Sequence, residues 1–494
     1  MKSDGYEMKD FSSAPTLSEL DGKQETFDDD DDEDFFSKGG EQEDEEVLGE
    51  RFVYTEDWRD KWWAVGFLVN FVAMIIFVIV GAATVEWTET GDSYDDDGAQ
   101  IETDGGYGWR ASVIFLSTVI TFVVYAVGFM FVLRRYPEQL IYTAIVSTIV
   151  MSLINSIMSF AYANSVGFGI FYLILACLFA LPLWLWRKRI QFAKYMLGAV
   201  GMLVQRYPST VIVSYISIVP STLLVFGWMV GVMVTAQFGW PAYFYMLFCL
   251  YWIGNTIQNI VHVTASGTFA TWYFNPNETQ TTAVTWNALK RACSTSFGSI
   301  AFGSLIVALV QLLKSLARGH NSIWRLCCGF VERLVRYFNR YAFTQVAVYG
   351  KDFITAAKST FDMFSRSGIN AIINDDITWW TMKFVMILCG FLCFLVASLT
   401  ADALSPFHDE VYTNWYWIVF GFSSMIIGII LTGFLVGIVD SGVATLFVCF
   451  AEAPDQLQIT DPILYEHFKE HYSDKCDLFD ATTAGVVAGA LTLV

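Results

Sequence analysis

The sequence predicts an all-α membrane protein: a polytopic bundle of about ten transmembrane helices behind a disordered acidic amino-terminal tail. Three observations predict it. Hydrophobic residues make up 55% of the 494 residues and charged residues only 16%, so most of the chain can be buried in hydrocarbon without stranding charge. Apolar runs of about 20 residues, the length that crosses a hydrocarbon core, recur between Trp62 and Val439. The net charge of −20 lies largely outside those runs: residues 1–57 hold 21 acids and 5 bases, and residues 451–494 hold 8 acids and 2 bases.

Residues 1–57 form the first region, an acidic tail whose run from Asp28 to Asp34 has the composition of a solvated, disordered segment. The apolar run that follows has no short basic leader and no cleavage site, so the tail is expected to be retained. The membrane domain spans 58–450. Its expected segments are Trp62–Val85, Ala111–Leu133, Leu140–Tyr162, Val166–Trp186, Ser209–Ala236, Ala242–Val263, Phe297–Leu313, Trp380–Ala401 and Trp415–Val439. A tenth, Tyr341–Phe364, lies in the amphipathic and basic region 314–366; with Gln345, Lys351, Asp352 and Lys358 it is compatible with crossing, re-entering or lying on the surface. Residues 451–494 form a carboxyl-terminal tail.

Arg134 and Arg135 follow the second segment and Arg187, Lys188 and Arg189 follow the fourth, which orients both loops to the cytoplasm. The amino terminus is then cytoplasmic, and the acidic loop 86–110 external. An even number of crossings returns the carboxyl terminus to the cytoplasm. The basic stretch Lys314–Arg340 strains this order, because counting places it outside. Arg-Tyr-Pro occurs at Arg135–Pro137 and again at Arg206–Pro208, either an internal repeat or shared interface chemistry.

Nine cysteines lie mostly in or beside apolar segments without a CxxC pair, and the five histidines are scattered, so neither a disulfide framework nor a metal site is expected. With no GxSxG elbow and no Gly-rich nucleotide loop, the chain is expected not to be an enzyme and to use no cofactor. Membrane lipids and a small solute are the expected partners, and nucleic acid is not. Polar groups inside hydrocarbon are the site candidates. Tyr251, Trp252, Asn255, Gln258 and Asn259 make a broad stripe on the sixth segment, suited to touching a solute or to bonding helices together. Interior aromatics able to hold a quaternary ammonium ion add Trp228, Tyr243 and Tyr245 to the path candidates, with packing as the plainer use of each ring. Lys351, Asp352 and Asp440 are candidates for gating or coupling; Asp440 is either a buried carboxylate or a helix end meeting water. Gly227/Gly231 and Gly433/Gly437 read as small-residue packing seams. Cys327 and Cys328 fit either acylation or burial, and Asn277-Glu278-Thr279 matches a glycosylation pattern on the side where it would be unused.

Residues 338–361, FNRYAFTQVAVYGKDFITAAKSTF, resemble the signature of the choline transporter-like family: Asn339-Arg340, then Gly350-Lys351-Asp352-Phe353, then Ala357-Lys358. Ala270–Phe274, Ser299–Ser304, Phe447–Glu452 and Asp461–Tyr465 are similar to further family motifs in the family's order, so the likeness extends over about 55–475. The acidic tail and short first external loop resemble the fungal branch, named for a pH-nine-sensitive phenotype. The resemblance implies a plasma-membrane protein of about ten helices with cytoplasmic termini that transports choline or a related amine. The alternatives are transport of an unrelated solute or lipid on the same scaffold, and a non-transporting membrane organiser whose tails recruit partners.

Overall fold

The computed structural model describes residues 58–84, 106–161, 169–174, 176–177, 180, 187–316, 322–367, 370–404 and 410–471. They belong to one compact unit, Phe52–Val494. The expected acidic tail, most of the acidic loop and most of the fourth segment lie outside the described residues. What is described is helical throughout: α1 Lys61–Thr84, α2 Gly106–Arg135, α3 Pro137–Ala161, α4 Arg187–Arg206, α5 Ser209–Ile216, α6 Ile218–Thr235, α7 Trp240–Phe274, α8 Thr281–Cys293, α9 Phe297–Leu316, α10 Ser322–Tyr349, α11 Phe353–Ser367, α12 Asn370–Ala403, α13 Glu410–Glu452, α14 Pro454–Thr460 and α15 Pro462–His471.

Among the described residues, seven helical stretches are long and apolar enough to cross a membrane: Lys61–Thr84, Ser112–Arg135, Pro137–Phe160, Ser209–Phe238, Phe297–Leu316, Trp380–Ala403 and Trp417–Glu452. The polytopic membrane fold is therefore present. The sixth expected segment lies within the 35-residue α7. It is absent from the seven because Asn255, Gln258, Asn259 and His262 dilute its hydropathy. The tenth is not one helix. It is the end of α10 and the start of α11, broken where Gly350 adopts φ 59°, a conformation glycine reaches without a Cβ penalty.

Burial divides the molecule into two zones. In the apolar zone large side chains face outward: Val124, Val127, Phe226 and Met233 are all more than 65% exposed, the arrangement expected when the surrounding solvent is lipid. Beyond it the two longest helices, α7 and α13, continue into a close-packed basal zone. Every residue from Val263 to Tyr273 is buried, as is every residue from Ser441 to Phe450. There α4, α8, α14 and α15 pack around them. The Tyr273 hydroxyl donates to Ala453 O at 2.8 Å, and the Thr460 hydroxyl donates to Tyr273 O at 2.8 Å. The carboxyl-terminal region thus begins as two docked helices. Phe468 of α15 meets Phe450 of α13 edge-on at 5.0 Å, and Tyr195 stacks on His467 at 3.7 Å.

Each Arg-Tyr-Pro lies where one helix ends and the next begins, because proline starts a helix more readily than it continues one. Their tyrosines differ: Tyr136 is 44% exposed and Tyr207 fully buried. The glycine pairs are also asymmetric. A Cβ on Gly231 would meet Val78 Cγ2 at 2.9 Å, whereas Gly227 and Gly437 have open space beside them.

Candidate functional site

A ladder of polar side chains links α7 to α9. Its rungs run antiparallel: Tyr251 Oη lies 3.0 Å from Ser315 Oγ, Asn255 Nδ2 donates to Gln311 Oε1 at 2.7 Å, and Asn259 Nδ2 donates to Ser304 Oγ at 2.8 Å. Spacing of about one helical turn carries the stripe along a single face. Gln258, on the neighbouring face, is exposed. From α10, Asn339 Nδ2 donates to Gly303 O at 3.0 Å, bringing a third helix to the ladder.

The ladder ends at a polar junction where α7, α10 and α13 meet. His262 Nε2 is 3.0 Å from Arg340 O and 3.2 Å from Thr344 Oγ1, and Nδ1 is 2.8 Å from Ser441 Oγ. A carbonyl only accepts, so Nε2 carries the proton and Nδ1 is the acceptor in the neutral ring. The Ser441 hydroxyl also lies 2.8 Å from Gly437 O, one proton facing two acceptors. Beside the ring, Arg340 Nη1 is 3.4 Å from Asp440 Oδ2, with side-chain exposures of 16% and 29%. Asp440 is therefore a half-buried, ion-paired carboxylate continuing a helix, since α13 runs on to Glu452. Sequence reasoning missed His262 and missed Arg340 as a partner. The available signals were a histidine three residues from the stripe's last asparagine, and an arginine inside the signature.

Lys351 and Asp352 sit in the break between α10 and α11 and serve separate tasks. Lys351 Nζ donates to Gln345 Oε1 at 3.1 Å and to Ser359 Oγ at 3.0 Å, tying the two helices across Gly350. Asp352 caps α11, accepting from Thr355 N at 3.0 Å. Burial pushes its carboxyl up, but the Thr355 amide and hydroxyl donating to it hold it below the ordinary carboxylate value. A depressed value stabilises the fold above the unfolded-state value of about 3.9 and is lost as pH falls through the folded one. Asp352→Ala is expected to cost about 1 kcal/mol. Hydrogen exchange should show faster amides in the first turn of α11, and acidification of the unmodified protein should reproduce that fraying. Unchanged exchange would remove the capping role.

The remaining aromatic candidates are engaged in helix packing. Trp252 is buried, donates from Nε1 to Ala301 O at 2.9 Å and meets Phe67 edge-on at 5.4 Å. Trp228 Nε1 donates to Met246 O at 3.0 Å, Tyr245 packs edge-on against Phe77 at 5.5 Å, and Tyr243 is 39% exposed near Trp240. The structure gathers Tyr251, Asn255 and Asn259 into the ladder and Asp440 into the junction, while Trp252 and Tyr245 share an apolar cluster with Tyr251. A second ion cluster lies farther along α10: Glu332, 11% exposed at its side chain, binds Lys314 of α9 and takes Arg336 Nη2 at 3.0 Å. Cys327 is exposed and Cys328 partly so. Among the described residues no group of three His, Cys, Asp or Glu side chains is placed to hold a metal.

A family model described as plasma-membrane choline transporter matches residues 170–455, covering α4 to α13 and hence the ladder, the junction and the α10–α11 break. A CTL-like protein of Dictyostelium discoideum is 28% identical over 444 residues, 86% of this chain and 77% of that protein. Protein PNS1 of Kluyveromyces lactis is 28% identical over 485 residues, 86% of this chain and 84% of its own length. Protein PNS1 of Debaryomyces hansenii is 29% identical over 398 residues, 73% and 77% of the two chains.

Proposed function

Because this chain belongs to the plasma-membrane choline transporter family, we propose that it is a multi-pass plasma-membrane transporter of choline or a related small organic cation, working by alternating access. The observation that carries this reading is the continuous polar ladder from Ser315 to Asp440 between helices that otherwise expose apolar side chains. Polar groups at that depth must pair with each other or line a path. Tyr251, Asn255, Gln258 and Asn259 are the path residues on this reading, and the Arg340–Asp440 pair at the basal end is the gate. Trp228, Tyr243, Tyr245 and Trp252 support the helices that move. Lys351 ties α10 to α11, coupling the gate to the short helix.

Ten crossings follow on this reading if residues 166–186, α7 and α10 each cross in addition to the seven apolar stretches. α10 then takes the place of Tyr341–Phe364, α11 lies on the cytoplasmic side, and both termini are cytoplasmic. The Lys314–Glu332–Arg336 cluster accounts for part of the basic stretch, since pairing reduces the cost of holding charge between helices.

The test is uptake of labelled choline by liposomes containing the purified full-length protein. Accumulation above that of empty liposomes is expected. None under sodium, proton or zero gradient overturns the cation reading. The alternative is an unrelated solute or lipid carried on the same scaffold, since fold does not fix function. Metabolite comparison of cells with and without the protein separates the two.

A further inference from the structure

We propose that Arg340 is a built-in stand-in for the transported cation: its guanidinium occupies a quaternary-ammonium site formed by Tyr337, Tyr341 and Asp440, and the organic cation binds by displacing it. This rests on the organic-cation reading above and adds to it a site, its residues and a competitor.

The geometry is that of an occupied aromatic cradle. The guanidinium carbon of Arg340 lies 5.0 Å from the centroid of the Tyr341 ring and 5.8 Å from that of Tyr337, both within cation–π range. The two rings are 5.1 Å apart, and Phe364 closes over them, 5.0 Å from Tyr341 and 5.7 Å from Tyr337. Phe447 of α13 backs the cluster at 5.7 Å from Tyr341. Aromatic faces plus one carboxylate are the groups that recognise a quaternary ammonium ion, which has charge but no N–H to donate.

Arg340 is suited to give way. Guanidinium and quaternary ammonium are both weakly hydrated cations that favour ring faces, so one substitutes for the other at modest desolvation cost. Its 3.4 Å separation from Asp440 exceeds the roughly 2.7–2.9 Å of a tight charge-assisted hydrogen bond. Neither partner is sealed from solvent. Displacement of the guanidinium gives up its contact with Asp440 and the 3.2 Å hydrogen bond that Nη2 donates to Tyr341 Oη. The titratable and charged groups at the site include Asp440 from α13, His262 from α7 and Arg340 itself.

Equilibrium binding of tritiated choline to the purified full-length chain in lipid nanodiscs tests this. Arg340→Gln, which removes the competitor, is expected to lower Kd about tenfold, a gain of the size of one cation–π contact. Tyr341→Leu and Asp440→Asn are each expected to raise it about tenfold or more. Should Arg340→Gln not fold, Arg340→Lys serves, its better-hydrated ammonium leaving more readily and lowering Kd about threefold. Choline binding to Arg340→Gln alone, with none detectable to the unmodified chain, also supports the proposal. Binding by the unmodified chain that weakens or stays the same in the Arg340 variant overturns the stand-in and leaves the cation reading intact. No binding by any folded variant overturns both.

Discussion

Alanine in place of Asp440 is expected to destabilise the protein by about 1–3 kcal/mol, the cost of taking a charged partner from a partly buried guanidinium. Arg340 would then lose the carboxylate 3.4 Å from its guanidinium while its side chain stays only 16% exposed. Its rings supply a weaker electrostatic partner, and its backbone carbonyl stays engaged with His262. The loss should therefore appear as a lower unfolding midpoint in detergent. The double variant Arg340→Met with Asp440→Ala is expected to recover much of it, because removing both charges removes the desolvation penalty along with the attraction. A double variant as unstable as the sum of the singles would show that the two residues act independently. Transport should be lost in the single and not restored in the double, since the pair is the proposed gate.

The membrane body was legible because hydropathy depends on composition over about 20 residues and needs no tertiary information. Trp380–Ala401 and Phe297–Leu313 could be read in that way, and they fall within α12 and α9. The basal zone was not legible by the same means. Val263–Tyr273 is rich in Thr, Ser, Gly and Ala, which signals nothing by hydropathy, yet all of it is buried, because small side chains let α8 and α10 approach α7 closely. The polar stripe on α7 was visible from spacing alone; its partners Gln311, Ser304 and Ser315 were not, since register between two helices is a tertiary fact. His262 and Arg340 were hidden for the same reason: their pairing joins residues 78 positions apart. The break at Gly350 had a local cue in the Tyr-Gly-Lys-Asp sequence, a helix end followed by a capping aspartate, but the apolar residues on both sides masked it.

Valine at Gly298 is expected to be the most damaging single substitution at the junction of α1, α9 and α11. A Cβ there would overlap the carbonyl oxygen of Asp60 and lie 2.6 Å from that of Arg59. These are backbone atoms, which cannot swing aside as a side chain can. Asp60 is already held at φ 51°, costly for a residue with a Cβ, and its carboxylate bridges three helices. Oδ2 accepts from Ser299 Oγ at 2.6 Å and from Phe353 N at 3.0 Å, while Arg59 N donates to Thr295 O at 3.0 Å. Pushing α1 away breaks all three, so the cost should exceed the about 1–3 kcal/mol typical of overpacking a core. The expected result is failure to give monodisperse protein, or a large fall in thermal midpoint. Gly437→Ala and Gly227→Ala, whose Cβ positions face open space, should melt close to the unmodified protein. If Gly298→Val also melts normally, α1 is not clamped to α9. The α1–α9–α11 brace would then contribute nothing to holding the basal zone together.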